Sequence, residues 1–250
     1  MHAIDRHAWT NRWRRHHPGE QLLLAGGGLV LALTLPPLTA GPLLCILMAG
    51  AAVAGAGVPM RAFLGVMALP TGFMLTSAPF LALSLDLRDG LHLAYSPAGA
   101  TLALAVTLRS LGALSCLAFL ALTTPVAELV PWLRRLGVPA AVVEIALLIY
   151  RLIFIFMERA VTGQQAQAAR QGYSTRRRSL RSLGLLIATL FQRALERARR
   201  LEVGLAARGY VGELRVLTPE RPLSRRRLAG IGGLLLAVAL GSVLLDRGLV

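Results

Sequence analysis

The sequence has no lysine, and only 12 of its 250 residues are acidic, against 27 arginines. Cysteine occurs twice, at Cys45 and Cys116, each inside an apolar stretch. That argues against a disulfide framework and against a thiolate metal site. The phosphate-binding pattern GxxxxGK[ST] is missing, so the chain should not hydrolyse ATP itself. HExxH and GxSxG are missing too. Gly26-Gly27-Gly28 lies in apolar sequence and is no nucleotide fingerprint. His2, His7, His16 and His17 read as part of a basic interfacial tail rather than as metal ligands. His92 with Asp86 and Asp89 reads as a polar loop. No catalytic, cofactor-binding or metal-binding residue is assigned.

Apolar residues are abundant. They make up 55% of the chain, with only 16% charged, and they cluster into blocks longer than a globular core needs. The chain is therefore expected to be an all-α polytopic membrane protein. A net charge of +15 would suggest nucleic acid in a soluble protein. Here the arginines border apolar blocks, which fits anionic headgroups and the positive-inside rule, and no nucleic-acid-reading module accompanies them. Membrane lipids are expected partners; nucleic acid is not.

Residues 1–20 are polar and carry Arg6, Arg12, Arg14 and Arg15. Trp9 and Trp13, four apart, would share a face of a short interfacial helix. Apolar blocks follow at 22–35, 38–58, 63–85 and 98–122. Pro36-Pro37 marks a turn, and Pro70 and Pro79 predict kinks. Arg109, inside the fourth block, needs a partner there. Thr123-Thr124-Pro125 should cap a helix over 126–136, stopped by Gly137-Val138-Pro139. Residues 140–156 are apolar but contain Glu144 and Arg151. Glu128 and Glu144 are candidates to pair with arginines such as Arg135 and Arg151. The last block is 228–245, anchored by Arg221 and Arg225–Arg227.

Sixteen of the 27 arginines fall in residues 158–228. The positive-inside rule places them, and residues 1–20, in the cytoplasm. Four spans join the two regions and a fifth ends the chain. Residues 140–156 then lie at the membrane surface without crossing. An alternative count of six has 140–156 cross and one short N-terminal block not cross. The predicted organisation is 1–124, an interfacial segment and four spans; 125–227, a cytoplasmic helical region; and 228–250, the last span.

That cytoplasmic region contains a repeat. Shifted by 38 residues, positions 147–170 match 185–208 at ten of 24 positions, which predicts two similarly built units. Each is expected to be an apolar helix followed by a charged helix ending in arginine and glycine. The motifs are Ala168-Ala169-Arg170-Gln171-Gly172-Tyr173 and Ala206-Ala207-Arg208-Gly209-Tyr210. Small residues let each helix end approach another surface, and the arginine suits the negative end of the helix dipole. Gly172 and Gly209 should end the helices in left-handed geometry. Gln171 reads as an insertion that makes the first end differ from the second. Ser174–Arg181, between the copies, reads as a solvated basic loop.

These features together resemble the transmembrane T-component (EcfT family) of energy-coupling factor transporters, in its CbiQ-like, cobalt-transport form. The resemblance covers essentially the whole chain. It implies about five transmembrane helices and a cytoplasmic region carrying two coupling helices. It also implies a non-catalytic coupling subunit in the bacterial inner membrane, with ATP hydrolysed by partners. Those partners are two CbiO-like ABC-type ATPase subunits and a CbiM-like substrate-binding membrane subunit, with a small CbiN-like subunit as a further associate. By position, the ATPase-coupling residues are Ala169, Arg170 and Gly172 in the first motif and Ala207, Arg208 and Gly209 in the second. Alternatives are a T-component for nickel or a vitamin, or a conventional ABC importer permease with its own path.

Overall fold

The computed structural model describes residues 3–86, 92–210 and 223–249. It divides into two compact units, Met1–Leu129 with Pro219–Val250, and Val130–Thr218.

The first unit opens with α1 (Ala3–Thr10) and a 3-10 turn, Arg12–Arg15. There follow α2 (Pro18–Thr34), α3 (Pro37–Gly50, continued by a π turn over Ala51–Gly55) and α4 (Met60–Ala82). A short hairpin, β1 (Leu83–Asp86) and β2 (His92–Tyr95), leads into α5 (Pro97–Thr123) and α6 (Val126–Leu129). After the second unit the chain returns as α9 (Arg225–Leu249). Helix starts follow the prolines: Pro18, Pro37 and Pro97 each sit in a first turn, where a missing N–H costs nothing. The hairpin is the one departure from helix among the described residues, and Asp86 pairs with His92 in its register. Residues 87–91, and the side chains of Asp86 and His92, lie outside the described residues.

α5 is the central post. Leu24 of α2, Met48 of α3, Phe63 and Met67 of α4, and Cys116, Phe119 and Leu122 of α5 share one buried cluster. Glycines set the crossing distances. A Cβ on Gly41 of α3 would overlap the Leu108 carbonyl of α5, and one on Gly112 would sit 3.1 Å from Gly41 Cα. A Cβ on Gly28 would fall 2.5 Å from Met48 Cε and 3.0 Å from the Cys116 sulfur. Both cysteines are free thiols. Without water to drive apolar surfaces together, such close backbone approach is what holds membrane helices.

Two local expectations need correction. Trp9 and Trp13 do not share a helical face, because α1 ends at Thr10. Trp13 instead packs edge-on to Phe119, centroids 5.6 Å apart, while Arg14 lies over Trp9. The N-terminal segment is tied into the bundle. Asn11 Nδ2 donates to the Thr123 carbonyl at 2.8 Å, Arg12 N–H to the Ala56 carbonyl at 2.9 Å, and Gln21 to the Trp13 carbonyl at 2.8 Å. Nor do the threonines cap the next helix. Thr123 Oγ1 donates back to the Phe119 carbonyl, and the Thr124 hydroxyl meets Gln21 Oε1. Residues 126–136 form α6 and then a 3-10 stretch, Val130–Leu136, rather than one helix. Gly137 does end it, at φ 87°.

Arg109 finds its partner in the backbone. Leu35 follows the last residue of α2, so its carbonyl stands at the helix end, where carbonyls lack an intrahelical donor. The Arg109 guanidinium donates to the Leu35 carbonyl at 3.4 Å.

Among the described residues five helices are long and apolar enough to cross a membrane: Pro37–Gly55, Met60–Leu81, Pro97–Thr123, Ala140–Ala169 and Arg225–Arg247. The protein is a multi-pass membrane protein, but the set differs by one from the first reading. α2 has 17 residues, about 25 Å of helix, short of an apolar core about 30 Å thick. Residues 140–156 belong instead to a much longer helix, Ala140–Ala169, long enough to cross as the alternative had it, but in a set of five and not six.

The second unit is built from the 3-10 stretch over Val130–Leu136, α7 (Ala140–Ala169) and α8 (Arg176–Ala206). α7 and α8 approach closely at Gly163, where a Cβ would meet Leu186 Cδ1 at 2.7 Å. Thr175 caps α8 by accepting from the Arg178 N–H. Neither repeat unit is an apolar helix joined to a charged one. Each is a single unbroken helix whose composition changes along its length.

Two arginine-bearing helix ends as the candidate functional site

Both motifs sit where α7 and α8 stop. At the first, Arg170 N–H donates to the Gln167 carbonyl at 3.2 Å, Gln171 N–H to Ala168 at 3.0 Å and Gly172 N–H to Gln167 at 2.9 Å. At the second, Arg208 N–H donates to Leu205 at 3.0 Å, Gly209 N–H to Ala206 at 3.1 Å and Tyr210 N–H to Leu205 at 3.1 Å. Every donor and acceptor corresponds at an offset of 38. Each is a Schellman cap, in which a left-handed residue lets the next N–H reach back five positions.

This overturns the reading of Gln171 as an insertion. Gln171 occupies the place of Gly209, with φ 60° against 73°. Gly172 occupies the place of Tyr210 and is not the left-handed residue. It is small for a different reason: a Cβ there would lie 2.8 Å from both the Gln167 carbonyl oxygen and Ser182 Oγ. The two ends therefore share one backbone geometry.

They differ in lateral support. At the first end Ser182 Oγ of α8 donates to the Gly172 carbonyl at 2.9 Å, and Gln167 Nε2 donates to the Ser182 carbonyl at 3.0 Å. Tyr173 OH closes the set on Gln167 Oε1 at 2.7 Å. This latch ties the α7 end to the first turns of α8. No such bond is recorded at the second end among the described residues, and Tyr210 is 41% exposed. Sequence reasoning missed Gln167 and Ser182. Their only signal is two ordinary polar residues 15 apart, on helices whose crossing no local pattern specifies.

Ala169, Arg170, Ala207 and Arg208 are exposed. Each arginine follows small residues at the end of a helix some 30 residues long, where its guanidinium presents five donors outward. Such an end suits insertion into a cleft bearing carboxylates. It offers no reacting group. Among the described residues no three His, Cys, Asp or Glu side chains gather as metal ligands would. The pairing suggested for Arg135 falls on a side chain outside the described residues, as does the anchor residue Arg221.

Residues 10–219 match the family described as the cobalt transport protein CbiQ. The cobalt transport protein CbiQ of Rhodobacter capsulatus is 45% identical over 229 residues, 92% of each chain. That of Salmonella typhimurium is 30% identical over 223 residues, covering 85% of this chain and 99% of the relative. A putative fused cobalt transport protein, CbiMQ, of Methanocorpusculum labreanum is 29% identical across 84% of this chain but only 37% of its own length. With five helices able to cross a membrane and near full-length likeness to these transport proteins, the chain belongs to the CbiQ family and is a membrane component of cobalt transport.

Proposed function

We propose that this chain is the coupling subunit of an energy-coupling factor importer for cobalt ions. ATP binding would close two CbiO-like ATPase subunits, and their motion would pass through α7 and α8 to a separate CbiM-like substrate-binding membrane subunit, with a CbiN-like subunit beside it. Residues 158–227 face the cytoplasm in this arrangement, consistent with their arginine content. Arg170 and Arg208 meet acidic groups of the ATPases, while Ala169 and Ala207 allow close approach.

The observation that carries the proposal is the pair of exposed arginines on identically capped helix ends. Two like ends suit two like partners. A conventional importer permease, usually with one coupling helix per subunit, has no use for the second. The Methanocorpusculum labreanum relative, named as a fusion of CbiM and CbiQ, supports a membrane partner of that kind.

The test is cobalt uptake in cells expressing the whole transporter, with the ATPases recovered by affinity purification. Arg170→Glu and Arg208→Glu should each abolish uptake and weaken ATPase recovery while the protein still reaches the membrane. Normal uptake with both variants would refute the docking role.

A further inference from the structure

Within the first unit, α2, α3 and α9 enclose an open cleft of about 610 Å³, inside the range of about 300–1,000 Å³ usual for small-molecule sites. Its walls are apolar: Leu24 from α2, Ile46 and Leu47 from α3, Ile231 and Leu234 from α9. Its polar groups are Trp13, His16, Glu20, Gln21 and Arg227. An apolar trough with polar groups from the helix starts fits an amphiphile better than a sugar, nucleotide or metal ion.

The polar groups specify the sign of the head. Glu20 is buried, 3% exposed. One of its carboxylate oxygens accepts from the Ser224 N–H at 3.1 Å and the other pairs with Arg227 at 3.5 Å. The buried carboxylate thus positions Arg227, whose side chain remains half exposed with donors to spare. Arg225 and Arg226 are exposed beside it, as are Arg12 and Arg14 around Trp13. Burial first, and then Arg227, hold the His16 imidazole below its ordinary value, with Glu20 opposing. Near neutral pH the cationic partner for an anion is therefore Arg227 rather than His16. Arginine and tryptophan at one end of an apolar trough match the headgroup layer of a bilayer.

Glycines keep the trough open. A Cβ on Gly50 or Gly230 would meet nothing within 4 Å. Gly55 has another task, since a Cβ there would strike the Trp13 ring at 2.7 Å.

We propose that this cleft holds an acyl chain of an anionic phospholipid whose phosphate rests on Arg227, so that one bound lipid joins α9 to α2 and α3. The full-length protein, purified in uncharged detergent, is mixed separately with phosphatidylglycerol, phosphatidylethanolamine or inorganic phosphate, and retained molecules are counted by native mass spectrometry. Phosphatidylglycerol should be retained in preference to phosphatidylethanolamine. Arg227→Gln should cut that preference about fivefold, the effect of one basic residue near an anionic surface. Gly230→Leu, which fills the trough without altering charge, should lower retention of both lipids. Gly50→Leu does the same from the α3 wall should the first variant fold poorly. In the unmodified protein, a photoreactive acyl-chain analogue should label Ile46 or Leu234. Four results would overturn the proposal: unchanged retention in a well-folded filled variant, inorganic phosphate binding as well as the lipid and displacing it, labelling confined to outward residues such as Leu69, or a co-purified protein segment occupying the cleft instead.

Discussion

The ends of α7 and α8 have the same backbone and different surroundings. Their three capping hydrogen bonds superpose at an offset of 38, yet among the described residues only the first is latched from the side, through Ser182, Gln167 and Tyr173. The first end also carries a non-glycine residue in left-handed geometry, Gln171 at φ 60°. A residue with a Cβ costs about 1–2 kcal/mol there. The latch supplies what glycine supplies at Gly209. Two repeats of one plan thus reach one shape by different means, and in the proposed transporter the first end is the stiffer lever.

That comparison can be broken or sharpened by substitution. The largest effect is expected from the charges. Losing one member of a buried arginine–carboxylate pair costs about 2–5 kcal/mol, so Arg170→Ala and Arg208→Ala should each weaken ATPase association by one to several orders of magnitude in a pull-down titration. Similar losses would mean that both ends dock alike; a loss at one alone would assign docking to it.

Next comes Gly172→Ala. The new methyl would enter space held by the Gln167 carbonyl and Ser182 Oγ, and forced overpacking costs about 1–3 kcal/mol. Hydrogen exchange should rise at residues 168–173 and leave 205–210 unchanged. Tyr210→Ala, at the matching position, should leave the α8 cap intact. Comparable exchange in both variants would remove the asymmetry.

Gly209→Gln places the first end's residue at the second, where no compensating latch is found among the described residues. A loss of about 1–2 kcal/mol is expected, visible as earlier fraying of α8. Smallest is the reverse change, Gln171→Gly. Relief of the left-handed strain is offset by about 0.5–1 kcal/mol of added unfolded-state freedom, leaving a slight gain in protection of the α7 end.

Much of this was legible beforehand. Pro36-Pro37 located the start of α3 because a missing N–H acts locally, and the apolar blocks came within a residue of the start of α5, whereas α2 begins at Pro18, four residues before its apolar block. The 38-residue offset and both arginines were readable because repetition survives in residue identity. Gln171 was misread because a glycine was assumed to be the left-handed residue. Local preference favours that, but a side-chain latch from another helix overrides it. Trp13 was placed on an interfacial helix because spacing alone cannot show that α1 stops at Thr10 and sends the ring against Phe119.

The sequence by itself therefore determined the class, the apolar blocks that lie within the long helices, and the two arginine-bearing ends. Composition, chain-local sterics and repetition need no knowledge of what lies across the fold. Only tertiary structure decided that Arg109 serves the Leu35 carbonyl, that Ser182 and Gln167 latch one end, and that Glu20 orients Arg227 across 207 positions of chain. Each of these joins residues distant in sequence through one directed bond. Such a bond depends on the crossing of two helices, and no periodicity within either helix records it.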